Sequence, residues 1–557
     1  MYFPRRGPPL NVVAVAHRGA TLDVADRIEG QDAGGDVPDP AGSEAAPDVT
    51  RLLAAAAYLD ETFRDEAIRQ TLYESYRFIA PSYGVNIGSV VRHCIASRAL
   101  SRRRDVLLSG LLLVGLWAVH LRPVFTIAVF VGALLVAFVL TSRKTKLRWR
   151  IVFSVVAYLG ITAFAAHTLS LLMAIGALIV VAADTYERRY RVVARRMNAT
   201  DFNADAPAYG REHPSQRASD ERRIAHLTDH QDGNVVVYSG YYPFKGSGIA
   251  MPRWSWSIAV DVTKAPGERD EPGPSDPVAP IEMSEVYAHV LRAMQQADIK
   301  GYSAAQRFYV NGRFPGRNRE LFFHPKGPHE RFPKLRYVID EVSKLEDQPE
   351  AMVRQYADIK VSAWDSEVIL SAFVRFSRIS HYLFIEVTYY LLPPLKGDYY
   401  EIHRFNRRPT PHEFFRIFVD SLIAMPVLWL KAPLRVARWM ARPIGRARRE
   451  QRIEQEIREN RRFDFGALGS VRDSGSEPEY GKYFQQTDVE RLHKVIDRHL
   501  FTVIREFLKT KGVDTSELDR SERSVTYKGI WIGTQKGNKI VGDDGQIKGS
   551  GGGDDEE

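Results

Sequence analysis

The sequence predicts an α-helical membrane domain of two helical hairpins, about four spans, joined to a cytosolic α+β domain and a small N-terminal helical domain. Three observations predict it. Residues 106–140 and 151–183 are apolar runs interrupted only near their centres. Lys and Arg crowd the ends of those runs. Beyond residue 232 the period-two alternation of strands replaces the helical period.

With 557 residues the chain has room for several folded units. Residues 1–46 are rich in Gly, Pro, Ala and Asp, with too little apolar surface to offset the entropy of folding, so a disordered tail is expected. Arg5 and Arg6 precede an apolar stretch broken by Pro8, Pro9, His17 and Arg18, which is not the pattern of a secretory signal. Over 47–101, Leu52, Leu53, Leu59, Phe63, Ile68 and Leu72 recur at helical spacing. The Pro81–Gly84 turn (PSYG) then separates them from a second amphipathic helix running toward Arg102.

The membrane domain is placed at 102–186. Its first hairpin turns at His120–Pro123 and its second at Ala165–Thr168, with both turns outside, while re-entrant hairpins or one long tilted helix per block remain the competing readings. Orientation follows from the juxtamembrane cations Arg102, Arg103, Arg104, Arg143, Lys144, Arg148, Arg188 and Arg189, which put both termini in the cytoplasm of a cell that holds the protein in its plasma membrane. Gly110, Gly115, Gly132, Gly160 and Gly176 would let spans pack closely, or let copies of the chain assemble into a homo-oligomer. His120 and His167, at the proposed turns, titrate near neutrality.

A linker over 187–231 leads to the α+β domain at 232–412, whose strands are expected near 235–238, 254–262, 305–310, 359–363, 368–376 and 382–390 with mainly antiparallel pairing. Trp254 and Trp256 alternate along one of these strands, which puts them on one face as core or membrane-facing side chains. At 413–465 an amphipathic basic helix precedes a charged one. Lys431, Arg435, Arg438, Arg442 and Arg446 form a cationic stripe, the pattern of a helix lying among anionic lipid headgroups. A flexible segment (466–486), an amphipathic helix (487–512) and a Gly-spaced C-terminal tail (513–557) complete the chain.

The charge of +9 therefore reads as lipid-directed, and no nucleic acid is expected. The single cysteine, Cys94, excludes an internal disulfide framework and a thiolate metal cluster. No phosphate-binding Walker loop, kinase motif set, HExxH, paired CxxC or GxSxG occurs, so no catalytic residue, cofactor or metal is assigned. Lys245, Gly246 and Gly248 could expose amides to a phosphate, although a glycine loop between strands explains them as well. His403 and His412, with Glu401 and Glu413, match no metal spacing and sit beside Arg404, Arg407 and Arg408.

The strings RLLAAAAYLDETF, APSYGVN, NVVVYSGYYPFKGSG and GIWIGTQKGNKIVG make the chain resemble uncharacterised multi-pass membrane proteins of actinobacteria. The resemblance implies membrane localisation and brings no activity, ligand or catalytic residue. The expected function is a membrane protein whose cytosolic domain binds a ligand or an unknown protein partner as a scaffold or sensor. Two alternatives remain open, a bilayer-permeabilising effector gated by that domain and an enzyme with an unrecognised site in 232–412.

Overall fold

A computed structural model of the chain describes residues 47–74, 76–140, 171–206, 208, 221, 223–228, 231, 233–265, 279–297, 300–316, 319–323, 337, 341–342, 352–459 and 463–530. Helices α1 (Pro47–Leu59) and α2 (Glu61–Ile68) come first. Between them Asp60 accepts from the amides of Thr62 and Phe63 at 2.8 and 3.1 Å, satisfying donors that the first turn of a helix cannot. Both helices pack on the start of α3 (Ile87–Leu140), where Leu52, Leu53, Phe63, Ile68, Ile87, Val90 and Cys94 are buried together. Helix α4 (171–186) continues through a π-helical stretch, Glu187–Ala194.

These helices overturn the four-span expectation. Helix α3 runs unbroken through His120, Leu121, Arg122 and Pro123, so the first hairpin does not turn there. Reversing a helix within four residues calls for left-handed backbone, usually at glycine or asparagine, whereas one proline removes a single donor and at most bends the helix. Among the described residues only Pro411–Pro443 is long and apolar enough to cross a membrane by length and composition. The second proposed turn, with His167, Gly160, Arg143, Lys144 and Arg148, lies outside the described residues, as do the 1–46 tail and residues 531–557.

The strands beyond residue 232 form one mixed sheet in which antiparallel pairing predominates. Its strands are β1 (Val235–Tyr238), β2 (Ile249–Ala250), β3 (Trp256–Asp261), β4 (Tyr302–Asn311), β5 (Val353–Ala363), β6 (Val368–Ile379) and β7 (Tyr382–Leu392), in the order β1-β4-β5-β6-β7-β2, with β3 also on β7. β1 pairs parallel to β4 and the other pairs are antiparallel. One face carries Ile359, Val361, Leu370, Val374, Ile385 and Val387, covered by α5 (Met283–Gln295) and by two helices near the C-terminus described below.

Period two then sends Arg307, Tyr309, Tyr356, Asp358, Lys360, Ser371 and Phe373 to the opposite face. After the sheet, α6 (Pro411–Glu459) is one continuous helix through Pro426, Pro433 and Pro443, where a basic and a charged helix were expected in succession. Short α7 (Val471–Ser474), long α8 (Tyr483–Thr510) and α9 (Ser516–Ile530) follow. The last two complete the cover over the apolar sheet face. Trp254 stacks on His493 and Trp256 on Phe501, which places both tryptophans in the core between the sheet and α8.

Candidate functional site

Helices α3 and α4 run antiparallel, side by side. Leu111 covers Gly176 and Met173 covers Gly115, so two of the glycines expected to permit close packing sit at this contact, whereas Gly110 faces open space. Toward the sheet domain the contact becomes ionic. Arg104 lies 3.2 Å from both Glu61 and Asp184, Arg188 lies 2.9 Å from Asp184, and Arg435 reaches Asp105 at 3.7 Å. Arg188 also donates to Ser97 and Ser101, and Arg64 donates to Ser101. Burial by itself would raise the Glu61 pKa, but the guanidiniums of Arg104, Arg64 and Arg435 outweigh it and hold the carboxyl at about 2.

Immediately beyond this girdle the surface turns apolar. Val106, Leu107, Leu113, Leu116 and Trp117 of α3, Leu171, Leu172, Ile175 and Ile179 of α4, and Phe415, Leu422, Ile423, Leu430 and Met440 of α6 are all exposed. Trp117 is 64% exposed and Ile423 73%, in one contiguous set of helices, which is far from the scattered single apolar residues of an ordinary surface.

Helix α6 packs on the α3/α4 pair. Ile417 packs with Tyr190 and Ala194, Ala432 with Leu108 and Val181, and Arg102 sits 5.3 Å over the Trp439 ring. From Ala432 to Trp439 the helix advances roughly 10 Å at 1.5 Å per residue, while its partners on α3 run back from Leu108 to Arg102, roughly 9 Å. The Trp429 indole donates to the Leu108 carbonyl at 3.1 Å. By the helical period, Lys431, Arg438 and Arg442 fall between the exposed apolar side of α6 and the side packed on α3 and α4.

The cations expected at lipid thus divide. Lys431, Arg438, Arg442 and Arg103 are exposed. Arg104, Arg188, Arg189 and Arg435 pair with carboxylates of the protein, Arg189 with Asp420 at 2.8 Å, and Arg102 packs on Trp439. The Arg446 side chain lies outside the described residues. One sequence separates these groups poorly, because a lipid-facing arginine and one paired across a helix contact share the same spacing.

A second centre escaped the sequence reading. On the polar sheet face Asp358 takes Arg307 at 3.3 Å and the Lys360 ammonium, with the Tyr309 hydroxyl at 3.4 Å, and Lys360 lies 4.1 Å from the centroid of the Tyr83 ring. Burial pushes the Lys360 pKa down to about 8 against the pull of Asp358, and lifts the Tyr83 and Tyr309 hydroxyls. Three loops close over this face. The Gly246 amide donates to Asp473 at 3.1 Å, and Ser82 shares a 2.9 Å hydrogen bond with Ser470.

A Cβ at Gly246 would stand 2.1 Å from the Pro81 carbonyl oxygen, and Gly246 has φ of +89°, so the loop requires glycine there. The amide considered for phosphate is therefore spent on a carboxylate. Phe244, from the same loop, stacks on Phe373 with centroids 3.9 Å apart and meets Tyr309, Tyr356 and Tyr390 edge-on. The signal available was the recurrence of SYG and FKGSG, two glycine turns whose aromatic and basic residues have no helical or strand role. Of the residues weighed for a metal, Glu413 accepts from the Thr410 amide at the start of α6 and His403 stacks on Tyr400.

Fold and surface define a mixed-sheet α+β protein with an ion-paired helical base and an exposed apolar belt. The chain belongs to the AbeC-like domain family, whose profile matches residues 255–540, more than half its length. No curated protein and no solved structure matches it.

Proposed function

We propose that the chain is a membrane-anchored binding protein, in which the apolar belt of α3, α4 and α6 embeds in lipid and carries the mixed-sheet domain at the surface as a scaffold or sensor for a ligand or partner. The observation that carries it is the belt, because large apolar side chains are exposed on three helices that pack together, and an ionic girdle marks where they stop. Water contact over such an area is costly at about 25 cal/mol per Å², and lipid removes that cost. The exposed cations Lys431, Arg438 and Arg442 support a position of α6 beside the headgroups, where they would reach toward anionic lipid. All described soluble elements gather at the girdle end of the belt, which supports placing both flanking regions on one side, and the basic residues and reduced cysteine favour the cytoplasm.

The test is fractionation of cells expressing the full chain. The protein should stay with membranes through an alkaline carbonate wash and require detergent for release. A variant carrying Trp117→Asp, Leu172→Asp and Ile423→Asp should leave the membrane, because each carboxylate placed in lipid costs about 2.5–3.5 kcal/mol at the centre of a span. A wild-type chain recovered as a detergent-free soluble monomer would overturn the reading.

A further inference from the structure

A cavity of about 240 Å³ opens beside the ends of α3 and α4, lined by His93, Val192, Arg195, Arg196, Met197, Asp201, Phe202, Asn203 and Ala206. Its floor is apolar and its rim is charged. Val192 and Met197 are buried, and the Phe202 ring lies 6.5 Å from that of His93. At the rim Asp201 is taken by Arg407 at 2.6 Å, so its charge is already met. Arg195 is exposed and has no partner among the described residues. The Tyr58 hydroxyl lies 3.1 Å from His93 Nδ1, and Nε2 has no partner among the described residues.

We propose that this cavity binds a phosphomonoester, with the phosphate held by Arg195 and His93 Nε2–H and the organic body resting on Phe202, Val192 and Met197. A guanidinium with free N–H groups matches two phosphate oxygens at once. Nδ1 can accept from the Tyr58 hydroxyl, and the tautomer with its proton on Nε2 then serves as a neutral donor. Burial, with Arg92 and Arg196 adding positive charge, lowers the His93 pKa to about 4, so the ring is a donor and not a cation at neutral pH. A phosphate dianion brought there offsets both arginines and raises that value.

On α6 the belt residue Phe415 lies two positions from Ile417, which packs on Tyr190 and Ala194 beside Arg195, so a soluble ester and a lipid headgroup share this chemistry and the test below separates them.

Isothermal titration of the detergent-solubilised full chain tests this with phenyl phosphate as the probe, alongside phenol, inorganic phosphate and short-chain phosphatidic acid. Phenyl phosphate should bind, inorganic phosphate more weakly for want of an apolar body, and phenol not at all. Arg195→Ala should weaken phenyl phosphate by about tenfold or more, with partial recovery in Arg195→Lys. Since Arg195 projects from the surface, its loss leaves the fold intact, as an unchanged melting temperature will show. His93→Gln should weaken binding as well, and binding should raise the His93 pKa followed by ring proton resonances. The proposal is overturned by absent binding of both phenyl phosphate and phosphatidic acid at millimolar concentration, or by equal binding to wild type and Arg195→Ala, while binding of phosphatidic acid alone would assign the phosphomonoester to lipid.

Discussion

Arg104 and Asp184, eighty residues apart in sequence, lie 3.2 Å apart across the contact of α3 with α4, and both are largely withdrawn from solvent. The pair fixes where the apolar belt begins. Asp184 keeps Arg188 when Arg104 is lost, whereas Glu61 and Asp105 lose their shortest cation contact, so Arg104→Met alone should lower the melting temperature. Arg104→Met/Asp184→Leu should recover only part of the loss, because Arg188 then lacks its carboxylate and Glu61 and Asp105 still lack Arg104. A double-mutant cycle in detergent reads the difference, and additive losses would show the two groups to be uncoupled.

Asp473 makes stability depend on pH. Burial raises its carboxyl from 3.8 to about 6, against the opposing charge of Arg472 and the Gly246 amide. Since the folded value lies above the unfolded one, its stabilisation is full below about 3.8 and is lost as pH rises through about 6. The loss is on the order of 2–3 kcal/mol. Asp473→Asn keeps an acceptor for Gly246 and carries no charge, so it should exceed wild type in stability at neutral pH and match it at low pH. Denaturant unfolding at both ends of this range decides the matter.

The basic residues of α6 should behave as two groups. Arg438→Glu with Arg442→Glu should weaken binding to anionic vesicles, by about 1 kcal/mol per residue removed and more when the charge is reversed, while the melting temperature holds. Arg435→Glu should instead lower the melting temperature, because it faces Glu61 and Asp105 at 3.9 and 3.7 Å. High salt should erase the first effect and spare most of the second.

Phe244 closes the polar sheet face, so Phe244→Ala should destabilise by about 3–5 kcal/mol and expose the 239–248 loop to protease. Phe244→Leu should lose less. Cleavage at this loop without any fall in stability would mean that the aromatic cluster does not hold it.

Particular residues show how far sequence reading reached. Runs rich in Val, Ile, Phe and Tyr in VILSAFVRFSRI and YLFIEVTYYLL located β6 and β7 to within three residues, since β-branched and aromatic side chains fit a pleated surface. The parallel pairing of β1 with β4 was not legible, because nothing local to Val235–Tyr238 records which strand lies beside it. The helix expected from Thr487 begins at Tyr483, where Lys482 and Gln485 make the capping contacts. Arg122–Pro123 suggested a turn, yet α3 passes straight through it. The cavity beside His93 left no trace in spacing, since its residues come from two helices and the segment after them.

By itself the sequence determined that a long apolar stretch exists, that cations border it, that α6 is basic and amphipathic, and that strands follow residue 232, because each is a property of neighbours along the chain. Only the tertiary structure decided that the apolar stretch is not two hairpins, that Arg104, Arg188 and Arg435 turn inward to Glu61, Asp105 and Asp184, and that the SYG, FKGSG and VRDSG loops meet over Asp358 and Lys360. The reason is physical. A charge is assigned to lipid, water or a carboxylate by what burial places within about 4 Å of it, and that distance is set by packing between segments far apart in sequence.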